Sequence, residues 1–156
     1  MSKDPSRLAI KLRSAVAAER SALEELQWRA SLENSSYRAA LEANPDAIEL
    51  PASQIENGGV FVAERDDVVV GFAAILPRPD GDAELDALFV EPSLWHRGIG
   101  RALVEHCCLE AKAIGAASLH VVGNPHAQKF YHSCGFIELG VQATRFGQGL
   151  LMKRSV

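Results

Sequence analysis

Cysteine is scarce in this chain, with three among 156 residues. An odd number closes no disulfide framework. A chain of this length buries roughly 68–70% of its unfolded surface, so it needs no covalent staple. The expected setting is therefore reducing and cytoplasmic. Basic charge is not in excess either: 16 Lys and Arg against 20 Asp and Glu leave a net charge of −4 and a pI near 5.7. That removes the usual electrostatic footprint of a nucleic-acid binder. No apolar run approaches the roughly 18 residues of a membrane span. The opening Met1-Ser2-Lys3-Asp4-Pro5 has an acid and a proline where a secretion signal needs an apolar stretch. No segment repeats at a fixed period and none is of low complexity. Aromatics are only 6%, yet hydrophobic residues reach 47% and charged ones 23%, a globular balance that argues against disorder. The length suits a single domain over residues 1–156, with 1–6 as a flexible tail.

Periodicity gives a mixed α/β order. Leu8, Ile10 and Leu12 alternate as in a short strand. Ala22, Leu23, Leu26 and Ala30 recur at helical spacing. A second helix runs through Tyr37, Ala40 and Leu41, with Ser35 or Ser36 as cap, and Asn44-Pro45 ends it. Residues 45–59 read as a connection. Two β-rich runs, 60–63 and 68–76, flank Arg65-Asp66-Asp67 as a hairpin, and Glu84–Val90 forms the next strand. A helix over Arg97–Ile114 follows, then a strand at Ser118–Val122. Asn124-Pro125 caps another helix, closed by Gly135. Two last strands lie near 136–146 and 149–154. The expected order is βααβββαβαββ.

The most informative stretch is Val90-Glu91-Pro92-Ser93-Leu94-Trp95-His96-Arg97-Gly98-Ile99-Gly100-Arg101. A strand feeds a loop that opens a long helix through two close glycines. The first N–H groups of a helix lack internal partners and its dipole favours anions there. Glycine lets a bulky phosphate approach the backbone, and Arg97 and Arg101 add charge one turn apart. The glycines would equally permit close helix–sheet packing, and spacing alone leaves both uses open. The stretch lacks the Gly-Lys-Ser/Thr end of a P-loop and the three glycines of a dinucleotide fingerprint.

This stretch resembles motif A of the GNAT superfamily of acyl-CoA-dependent N-acetyltransferases, Q/R-x-x-G-x-G/A. Downstream, Asn124-Pro125-His126-Ala127-Gln128-Lys129-Phe130-Tyr131-His132-Ser133-Cys134-Gly135-Phe136 is similar to the family's Asn, Ala, aromatic-Tyr and Gly-Phe signature. The resemblance covers residue 8 to the C-terminus and is most specific in 84–136. One departure stands out: the Q/R position falls on Trp95, so a side-chain donor to the pyrophosphate is missing. The resemblance implies a GNAT-like α/β fold, a mixed six- to seven-stranded sheet with helices on both faces and strands 4 and 5 splayed. It implies direct transfer of an acetyl group from acetyl-CoA to a primary amine of a small molecule, with no metal.

By the same resemblance, the pantetheine arm runs along Leu88, Phe89 and Val90, and the pyrophosphate meets His96, Arg97, Gly98, Ile99, Gly100 and Arg101. Asn124 caps its helix and also reaches the pantetheine. Tyr131 hydrogen-bonds or protonates the CoA sulfur; a phenol near pKa ~10 can donate to a thiolate of pKa ~8.5. Glu84 and Asp86 project to one strand face and are candidate bases, beside an amine deprotonated by solvent.

Rival readings are thinner. Cys107 falls on an apolar helix face and Cys134 precedes Gly-Phe, both packing positions. His120, His126 and His132 recur every six residues, a looser spacing than metal sites use. Trp95 motivates a CoA-binding module without catalysis. A protein lysine or N-terminal acetyltransferase is a further alternative. The acceptor pocket draws on Trp28, Tyr37 and His120, with Arg29, Arg38, Arg145 and Phe146 also available; an arginine there would meet a carboxylate. No nucleic acid or membrane is expected as partner, and a homodimer is the one assembly considered.

Overall fold

A computed structural model describes residues 9–156; Leu8 and the 1–6 tail lie outside the described residues. The strands are β1 (Lys11–Ser14), β2 (Val60–Arg65), β3 (Val68–Pro77), β4 (Ala83–Val90), β5 (Ser118–Gly123), β6 (Ile137–Thr144) and β7 (Gly147–Ser155). The helices are α1 (Arg20–Leu32), α2 (Ser35–Ala43), α3 (Ala52–Glu56), α4 (Ile99–Ala113) and α5 (Gln128–Ser133). The strands order as β1-β2-β3-β4-β5-β7-β6. β4 and β5 run parallel; β1–β2, β2–β3, β5–β7 and β6–β7 are antiparallel. This is the mixed seven-stranded α/β class expected. Among the described residues no helix is long and apolar enough to cross a membrane.

Three details differ from the expected order. The stretch 45–59 contains α3, five residues long, which its prolines and glycines mask. Helix α4 starts at Ile99 rather than Arg97, because Gly98 sits at φ +89°, outside the right-handed helix. The helix after Asn124 is reduced to a 3₁₀ turn, Pro125–Ala127, followed by six residues of α5.

The chain divides into two compact units. In the unit of residues up to 74 with 87–103, α1 lays Leu23 and Leu26 on Val60, Val62, Phe72 and Ala74. Each such fully buried side chain contributes about 1.5–3 kcal/mol. Phe89 packs on the same cluster, 5.6 Å from Phe72. The other face of β3 meets α4, where Ile99 and Leu103 lie beside Gly71. β3 carries one extra residue, Val70, against β2, and its carbonyl accepts the Glu91 N–H at 2.8 Å. The hairpin turn is Asp66-Asp67, both at positive φ (51° and 64°), as a two-residue type I′ turn requires.

In the unit of residues 75–86 with 104–156, Leu119, Met152, Val104 and Cys107 are fully buried. The β4–β5 pairing is confined to Ala83–Leu85 against Leu119–Val121, although β5 continues to Gly123. The ladder thus ends early, as the expected splay requires.

Candidate functional site

The β4–α4 turn is built by the first unit. Glu91 ends β4, Pro92–Leu94 makes one 3₁₀ turn, and His96 and Gly98 both take left-handed φ, 65° and 89°. The left-handed region costs a non-glycine residue roughly 1–2 kcal/mol, so His96 marks a strained position in an otherwise ordinary loop. The first helical bond of α4 runs from Ala102 N–H to the Gly98 carbonyl at 3.1 Å. The N–H groups of Ile99 and Gly100 therefore have no helical acceptor, and the exposed Arg97 stands immediately before them. Their donors and the helix dipole suit an anion.

Trp95 occupies the position where motif A has Gln or Arg. Its indole Nε1–H donates to the Val90 carbonyl at 2.8 Å, and the residue is 43% exposed. Of the strand backbone expected to face a ligand, Val90 has thus given its carbonyl to Trp95, while Leu88 is half-buried. Residue spacing does not reveal this bond.

On the second unit's part of β4, Glu84 is half-buried and Asp86 exposed. Arg78 Nη1 lies 3.7 Å from Glu84 Oε1, and Glu84 is the register partner of His120. His120 is itself engaged: its Nε2 lies 2.9 Å from Asp82 Oδ2. Asp82 Oδ1 also accepts the N–H groups of Ala117 and Ser118, each at 3.1 Å. The His120 bond and these two amide donors hold the Asp82 carboxyl below its ordinary range. Asp80, Asp82 and His120 are close enough to share a cation, but Arg78 already holds Asp80, with Nη2 at 3.1 Å.

Tyr131 is 8% exposed on α5. Its ring stands edge-on to Phe130 and Phe136, at 5.3 and 5.4 Å. A Cβ on Gly123 would lie 3.1 Å from the ring, so a glycine at the end of β5 makes room for it. Burial pushes the phenol pKa up. The hydroxyl has no hydrogen-bond partner among the described residues, which leaves its proton for an incoming acceptor. Asn124 does act as a cap: its Oδ1 accepts the His126 N–H at 2.9 Å. The cap serves the 3₁₀ turn rather than α5.

Cys107, Cys108 and Cys134 are all buried, and burial raises the Cys107 and Cys108 thiols, the reverse of what a nucleophile needs. Trp28 and Tyr37 are half-buried on α1 and α2. Neither lines the open cleft of about 610 Å³ that the first unit forms over the loop after β4; Arg29 and Arg38 do, with Leu32, Glu33, Glu91 and Trp95. Glu33 and Leu32 belong to no motif, so only the fold brings them there.

Residues 21–136 match the model of the acetyltransferase (GNAT) family. The peptidyl-lysine N-acetyltransferase YjaB of Salmonella typhimurium is 32% identical over 116 residues, 70% of this chain and 71% of that protein. An amino-acid acetyltransferase of Azotobacter vinelandii is 35% identical over 88 residues, 56% of this chain; the chain spans only 20% of that relative's length. Among solved structures, the PaiA N-acetyltransferase of Thermoplasma acidophilum in complex with coenzyme A has a TM-score of 0.74 at 20% identity, covering 96% of this chain and 100% of that one.

Proposed function

The chain belongs to the acetyltransferase (GNAT) family, and from that premise we propose that it transfers the acetyl group of acetyl-CoA directly to a primary amine of a small molecule. The observation that carries this reading is the start of α4. The helical N–H groups of Ile99 and Gly100, a left-handed Gly98 and the exposed Arg97 form an anion cradle of the kind a pyrophosphate fits. His96, Arg97, Gly98, Ile99, Gly100 and Arg101 bind it, and the β4 backbone at Leu88, Phe89 and Val90 guides the pantetheine, joined by Asn124. The amine nitrogen attacks the thioester carbonyl, the C–S bond breaks, and the Tyr131 hydroxyl donates a hydrogen bond to the departing thiolate, which takes its proton from solvent. The amine's proton passes to Glu84, to Asp86 or to solvent.

Calorimetric titration of the full chain with acetyl-CoA, together with thiol release over a panel of small amines, tests the reading. Binding and amine-dependent thiol release are expected. Binding without release on any amine would reduce the chain to a CoA-binding module, the reading Trp95 motivates; no binding would remove both. Trp95→Gln restores a side-chain donor and should tighten acetyl-CoA. A second reading, acetylation of protein lysines, is favoured by the similarity to YjaB. Faster release with lysine peptides than with any small amine would select it.

A further inference from the structure

The β4–β5 ladder of the second unit carries a bonded pair, Asp82 and His120, that the proposed chemistry leaves unused. Leu119 and Val121 are buried, so His120 between them faces the other side of the sheet. Ala83 and Leu85 are buried as well, which places Glu84 on that same side. Glu84 is the register partner of His120 on β4, and Lys153 is its partner on β7. His120 therefore stands one strand spacing, about 4.8 Å, from a candidate base, one rung before the last of the ladder, Leu85 with Val121. The space for the Tyr131 ring is at Gly123, three residues further along β5. Asp82 fixes the imidazole. Its Oδ1 accepts the Ala117 and Ser118 N–H groups, each at 3.1 Å, which aims Oδ2 at His120 Nε2, 2.9 Å away. These bonds keep the Asp82 carboxyl ionised, and an ionised carboxylate only accepts. Nε2 therefore carries the proton and Nδ1 the lone pair. Nδ1 has no hydrogen-bond partner among the described residues. Glu84 has no comparable tie to Arg78, whose Nη1 stands 3.7 Å away, beyond hydrogen-bond length.

We infer that His120 is the base that takes the acceptor's proton, with Asp82 as its positioning residue. This rests on the acetyltransferase reading and assigns the step which that reading leaves to Glu84, Asp86 or solvent. As the amine nitrogen bonds to the thioester carbonyl carbon, its N–H proton passes to Nδ1. The C–S bond breaks and the coenzyme leaves as its thiolate. The imidazolium, held against the Asp82 carboxylate, then returns the proton to solvent. Because Asp82 already occupies Nε2, the ring need not turn between its neutral and charged forms. Glu84 on β4 and Lys153 on β7 are the other titratable groups beside the ring on this face. Imidazole is also the side chain that ordinarily changes charge nearest neutral pH, which suits a base.

The test measures kcat and KM of the full chain by thiol release, with acetyl-CoA and with tyramine, spermidine, L-lysine or a lysine peptide as acceptor, across a range of pH. His120→Gln should lower kcat roughly a hundredfold. It should also abolish the fall in kcat that wild type shows on acidification. Acetyl-CoA affinity by calorimetry should be unchanged, which checks the fold. Asp82→Asn should lower kcat by about tenfold or more, through the wrong tautomer. Long-range proton–nitrogen NMR spectra give a readout that needs no turnover. Wild-type His120 should carry its proton on Nε2, and Asp82→Asn should lose that preference. A wild-type His120 protonated on Nδ1 instead would overturn the inference, and so would an undiminished kcat in His120→Gln. A large loss in Glu84→Gln with none in His120→Gln gives the step to Glu84 and leaves the transferase reading intact. If wild type binds acetyl-CoA but acetylates none of the four acceptors, the transferase reading fails and the assignment of His120 falls with it.

Discussion

Residues 91–101 keep their polar groups outside, whereas Tyr131 keeps its own inside. The β4–α4 turn is exposed at Trp95, His96 and Arg97, bends through two left-handed residues, and presents backbone donors. Tyr131 is wrapped by Phe130, Phe136 and the space that Gly123 leaves open. An anion cradle needs donors that protein acceptors have not already taken, so it cannot be buried in its own structure. A buried phenol keeps its proton, because desolvation disfavours its anion, and so remains a hydrogen-bond donor. The two regions thus obtain opposite properties from opposite degrees of solvation.

The comparison makes separable predictions. Tyr131→Phe removes only the hydroxyl and should lower kcat about a hundredfold, with acetyl-CoA affinity unchanged by calorimetry; undiminished turnover would remove Tyr131 from the chemistry. Gly98→Ala forces a Cβ into a left-handed position at a cost of about 1–2 kcal/mol. It should weaken acetyl-CoA roughly tenfold and lower the melting temperature. A kcat defect without an affinity defect would mean the turn is not the binding element.

Asp82 supplies a pH test in the same unit as Tyr131. Its folded pKa lies below the unfolded value near 3.8, so its contribution to stability is complete above that value. It disappears as pH falls through the lower, folded pKa. Urea unfolding between pH 5 and 2 should show a steeper acid loss in wild type than in Asp82→Asn; parallel curves would show that the His120 and amide bonds add nothing. The smallest effect is expected outside both regions. Asp67→Gly, at φ 64° in the hairpin turn, should raise stability by up to about 1 kcal/mol without altering acetyl-CoA binding.

Much of the framework was legible because it rests on local rules. Alternation and helical spacing mark the strands and α1, α2 and α4, and the Gly-x-Gly turn marks the start of α4. Errors fell where local signals were short or in conflict. Helix α3 is five residues among prolines and glycines, α4 begins two residues late because Gly98 is left-handed, and the Asn124 cap serves a 3₁₀ turn. The partners were not legible. Asp82 meets His120 38 residues away, and Arg29 meets Glu91 62 residues away. Nothing local links Trp95 to the Val90 carbonyl or brings Arg38 and Glu33 to one cleft. Sequence by itself determined the order of elements and where backbone donors would be exposed, because those depend on residues within a turn or two of one another. Tertiary structure alone decided which side chains meet and how deeply Tyr131 is buried, because packing brings together groups that the chain holds far apart.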